Sequence, residues 1–186
     1  MSYVILGCRL LLLGIFLASL AGKVRSRQAF REFVAATATL LAVPSAPARR
    51  FALLAMAAEA AIVVLLAVPP TVPAVAPPTL PAGFALAAVT LAGFGYALAR
   101  ALRQGRTAPC RCFGASSAPV GRRHVIRNLV LIAAAATAAV AALGGAPQAV
   151  ETPGVVITAL AALVCVVLVT RLDDIAELFR PTVTGR

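Results

Sequence analysis

The chain has 186 residues, 61% of them hydrophobic and only 12% charged, with a formal net charge of +11 at pH 7. A soluble domain carries roughly 25% charged residues, so a water-soluble fold is excluded for want of polar surface to cover this much apolar side chain. The positive charge does not point to nucleic acid either: Trp is absent, aromatics are 5%, and the Lys and Arg residues fall in short loops between apolar runs, where they set membrane orientation.

Several of those runs approach or exceed the ~18 residues that cross a bilayer as a helix, so lipid is the solvent for most of the chain. The expected fold is all-α: a polytopic membrane bundle of four to five transmembrane helices with a short amphipathic interfacial helix. Val4 to Ala21 is apolar apart from Arg9. It reads either as a first span or as a signal peptide ending near Ala21. The basic residues Lys23, Arg25, Arg27 and Arg31 follow the apolar core instead of preceding it, which favours the retained helix. Gly14, Ala18 and Gly22 form a small-residue stripe where another helix can approach closely.

From Arg25 to Val43 the pattern becomes amphipathic, with Phe30, Phe33, Val34, Thr37, Leu40 and Leu41 at helical spacing, and Pro44 ends it. Phe51 to Val68 is the second span. Glu59 lies near its middle, where an ionised carboxylate costs at least ~2.5 kcal/mol, so it must face the protein interior as a neutral acid, as half of an ion pair, or lining a polar pocket. The proline-rich run from Pro69 to Pro81 predicts an extended, non-helical connector. Ala82 to Leu102 is the third span, with Gly93 and Gly95 offering close packing or a bend. Val125 to Leu143 is the fourth, with Arg127 and Asn128 just inside its start, and Gly154 to Thr170 is the fifth. Arg171 to Arg180 reads as a tail that ends as a short interfacial helix. Residues 1–143 form a four-span domain on this reading, and 144–186 add a further span and tail.

Lys23, Arg25, Arg27, Arg31, Arg49 and Arg50 occupy the first loop, and Arg100, Arg103, Arg106, Arg111, Arg122 and Arg123 surround the third; the second and fourth loops have none. The expected placement is therefore a multi-pass protein of the plasma membrane with its N-terminus outside and its C-terminus in the cytoplasm.

The visible chemistry is Cys110-Arg111-Cys112-Phe113-Gly114, in the basic third loop. A thiolate attacks disulfides, and neighbouring arginines stabilise it. The second thiol can resolve a mixed disulfide made by the first, and a ring closed across one intervening residue is strained and therefore labile. Inert packing thiols are the plain alternative. No metal is expected, because a zinc cage needs four ligands and only His124 is near in sequence. That histidine reads as an interfacial basic residue, and Cys8 and Cys165 as small apolar ones.

Together the Cys110-Arg111-Cys112-Phe113-Gly114 core, Arg127-Asn128 at the start of the following span, Lys23 after the first and Glu59 within the second resemble the methylamine-utilisation MauE family of the DoxX-like group. The resemblance runs roughly from Val4 to Leu143. It implies a redox-associated membrane protein that helps mature a disulfide-rich dehydrogenase client alongside a thioredoxin-like partner. Cys110 and Cys112 would be the exchanging thiols, with Glu59 and Asn128 as interior groups for proton handling or ligand contact. The residues themselves leave open a non-enzymatic scaffold subunit or a quinone-linked oxidoreductase. No cofactor other than a quinone is suggested. The resemblance implies an exported client, whereas the charge count puts the thiols on the cytoplasmic side.

Overall fold

A computed structural model describes residues 2–68, 76–106, 121–144 and 151–178, with side chains for 2–68, 79–106, 121–144 and 151–171. The regular elements among the described residues are all helices: α1 (Ser2–Val24), α2 (Arg27–Leu41), α3 (Ser45–Ala67), α4 (Ala76–Arg103), α5 (Arg122–Leu143) and α6 (Thr152–Leu178). Five of these, all but α2, are long and apolar enough to cross a membrane. The chain thus fits a multi-pass membrane protein in a lipid environment.

Helices α1, α3, α4 and α5 close around a core that includes Leu12, Ile15, Phe16, Ile62, Leu66, Phe84, Leu91 and Leu131. Their outer faces carry exposed Leu54, Val64, Val89, Leu129 and Val140. In lipid such residues cost nothing to expose, so burial is decided by shape and by the few polar groups. Helix α6 packs on α1, and Ala162 is its one buried residue among those with described side chains. The contact relies on glycine: a Cβ on Gly14 would stand 2.7 Å from a Val166 methyl, and one on Gly7 3.3 Å from the Thr158 methyl. The stripe expected from Gly14 thus serves α6, extended towards Gly7.

Amphipathic α2 starts at Ser26, whose Oγ accepts the Ala29 N–H at 3.0 Å. It ends with Ala42 in the left-handed region (φ 54°), where the Val43 N–H returns to the Ala38 carbonyl at 3.1 Å. Its buried face is Ala29, Phe33 and Ala36, turned slightly from the expected stripe.

Two expectations change. Helix α4 begins at Ala76, so the second half of the proline run is helical and not extended, with Pro81 inside the helix. Proline is tolerated in a first turn, where its missing N–H would have no helical partner anyway, and Pro77 and Pro78 stand there. Residues 69–75 lie outside the described set. Arg171 to Leu178 continues α6 without a break and forms no separate interfacial helix; no Gly or Pro falls between Thr170 and Leu178 to stop it.

Candidate functional site

The antiparallel course of α1 and α3 sets Lys23, near the end of α1, opposite the first half of α3. A helical side chain leans towards its own N-terminus. Lys23 therefore points back into the bundle, where it is 3% exposed, and does not extend to the boundary. Its Nζ donates to Glu59 Oε1 at 2.5 Å and to Ser19 Oγ at 2.8 Å. Ser19, one turn before Lys23 on the same face, in turn donates to Glu59 Oε1 at 3.1 Å. Glu59 is fully buried, and of the three alternatives for it the ion pair is the one observed. Pairing offsets the cost of two charges in a dry interior only when further hydrogen bonds complete the geometry, and Ser19 supplies one.

Aromatic rings complete the cation's surroundings. Nζ of Lys23 lies 4.6 Å from the centroid of Phe33 on α2 and 5.8 Å from that of Phe94 on α4, within range of attraction to a ring face. Helices α1 to α4 thus converge on the Lys23 ammonium. On the same helix as Phe94, Gly95 packs against Asn128 of α5: a Cβ there would sit 3.8 Å from Asn128 Cβ, an ordinary contact. Two buried groups keep unused capacity. Glu59 Oε2 and both amide atoms of Asn128 are buried without a hydrogen-bond partner among the described residues.

Of the residues singled out from sequence, Lys23 and Glu59 are joined directly, and Asn128 is buried on α5 against Gly95 of α4. Arg127, one residue from Asn128, lines a small apolar cleft with Val169 of α6. Cys110, Arg111, Cys112, Phe113 and Gly114 lie outside the described residues. The two ends of their loop are described. At one, the Arg106 guanidinium donates to the Leu40 carbonyl at 3.2 Å, tying the exit of α4 to the last turn of α2. At the other, the Gly121 N–H donates to His124 Nδ1 at 3.1 Å. His124 is fully buried, so it is no interfacial basic residue; its ring is turned inward to hold the start of α5. Both ends belong to the same end of the bundle as the start of α3.

Cys8 is half-buried and Cys165 exposed, and both are free thiols. The described residues hold no cluster of His, Cys, Asp and Glu able to bind a metal.

A family model described as methylamine utilisation protein MauE matches residues 1–144. The chain belongs to the MauE family. The match spans α1 to α5 and stops before α6. No curated protein and no solved structure matches the chain. Within this MauE protein, sequence reasoning singled out Lys23 and Glu59, which the structure joins, but missed Ser19, Phe33 and Phe94 around them. A signal for Ser19 existed: it stands four residues before Lys23, where helical side chains meet. None existed for the two rings, which tertiary packing alone brings to the ammonium group.

Proposed function

We propose that this protein is a thiol-redox-associated membrane component tied to methylamine utilisation, in which Cys110 and Cys112 exchange disulfides to support maturation of a client, of the methylamine dehydrogenase type in the resembled family. The observation that carries the reading is the vicinal thiol pair in an arginine-rich loop, whose two ends meet the bundle at the end nearer the Lys23–Glu59 pair. Family membership supports the link to methylamine utilisation, as the family's description names it.

In the exchange, one thiolate attacks a sulfur of a disulfide on the partner, and the displaced sulfur leaves as a thiolate and takes up a proton. The second thiol, once deprotonated, attacks the mixed disulfide, so that one disulfide and two thiols change places between the proteins. The reverse sequence oxidises the client. A thioredoxin-like partner closes the cycle, because a single pair cannot relay electrons across the membrane. Glu59 Oε2 offers an acceptor for protons moving through the bundle. Stepwise maleimide labelling in membranes, with and without reductant, tests the reading. Cys110 and Cys112 are expected to label only after reduction, and Cys110→Ser with Cys112→Ser is expected to abolish client maturation. Full labelling in both states together with a working double variant would refute thiol exchange.

A further inference from the structure

At the same end of the bundle, a cavity of about 690 Å³ opens between the end of α1, helix α2 and the first half of α3. Its walls are patterned by helical spacing. On α2, Arg27 and Arg31 stand one turn apart, beside the parallel row of Phe30 and Val34. On α3, Arg49 is followed into the bundle by Leu53 and Met56. The cavity is therefore cationic at its mouth and apolar at its floor.

Among the described residues no carboxylate neutralises the three arginines. No acidic side chain lines the cavity, and none of the three forms an ion pair with a described residue. Lys23 also borders it, but its ammonium is bound to Glu59. The apolar part of the lining reaches the lipid-facing surface, since Leu53 is 49% exposed. A free anion would need the arginines and have no use for the floor, and a hydrocarbon would need the floor and gain nothing from the arginines.

We propose that this cavity is a binding site for an anionic glycerophospholipid, its phosphate on Arg27, Arg31 and Arg49 and the first part of one acyl chain along Phe30, Leu53 and Met56. Basic pockets between membrane helices take anionic headgroups in this way. The site is independent of the thiol chemistry and stands whether or not the Cys pair is redox-active.

The test uses the full chain reconstituted in nanodiscs of phosphatidylcholine and phosphatidylglycerol at four to one, followed by native mass spectrometry of retained lipid. Each arginine removed is expected to weaken phosphatidylglycerol retention about fivefold. Arg27→Gln with Arg31→Gln and Arg49→Gln should lose it, whereas Arg103→Gln with Arg122→Gln, at the same end but outside the cavity, should keep it. Met56→Trp fills the floor and leaves every charge; it should also lose the lipid. Glycerol phosphate in excess should leave bound phosphatidylglycerol in place. Equal retention by the cavity and control variants overturns the site. Displacement by glycerol phosphate, or undiminished retention by Met56→Trp, overturns the lipid as its occupant.

Discussion

Arg9 and Lys23 lie on the same helix and both reach α3, but they are satisfied by acceptors of different kinds. Arg9 donates to the carbonyls of Leu66 and Val68, each at 2.7 Å. Those carbonyls belong to the last turn of α3 and its cap, where no helical N–H reaches them. A cation there also meets the negative end of the helix dipole. Lys23 instead meets an ionised side chain deep in the bundle, a second charge that had to be placed there at its own desolvation cost. One contact closes a helix end that exists in any case. The other depends on two charged residues placed together, with Glu59 Oε2 left without a hydrogen-bond partner among the described residues, which is the pattern expected of a working site within a membrane bundle.

Breaking the pair gives the largest expected effect. Glu59→Ala leaves the Lys23 ammonium buried without its counter-charge and should cost about 3–5 kcal/mol, read as loss of stability on denaturant unfolding in detergent. Lys23→Met combined with Glu59→Leu should recover most of that loss, because two apolar groups replace two charges. If the double variant is as unstable as the single one, the pair is not the unit described here. Removing the structural cation should do less. Arg9→Gln gives up charged hydrogen bonds to two carbonyls near the bundle's edge, where water and lipid headgroups partly replace them, and should cost about 2 kcal/mol in the same assay. A loss equal to that of Glu59→Ala would erase the contrast. Smallest of all should be Asn128→Leu. It deletes amide atoms that have no partner, so stability should change by about 1 kcal/mol or less, in the stabilising direction, while client maturation falls if the amide serves the thiol site. A clear destabilisation would mean that Asn128 is structural.

Much of the architecture was legible in the chain, for a local reason. The length of an apolar run decides whether a helix spans, and amphipathic spacing marked α2 as the helix that does not. Proline misled that reading between Ala76 and Pro81, because its effect depends on where in a helix it stands, and the start of α4 was itself unknown from composition. Continuous α6 was missed for the opposite reason: charges at Arg171, Asp173 and Asp174 suggested an ending, although nothing there stops a helix.

The site divides along the same line. Sequence by itself determined that Glu59 could not stand ionised and alone within a span, and that Lys23, Asn128 and the Cys110–Cys112 pair were the chemically uncommon residues. Only the tertiary structure decided that Glu59 takes Lys23, 36 residues distant, that Lys23 turns inward between two phenylalanine rings, and that Arg127 and Asn128 face different neighbours. Hydropathy and helical spacing act over a few turns of one helix, whereas the choice of partner for a buried charge is made by how separate helices pack.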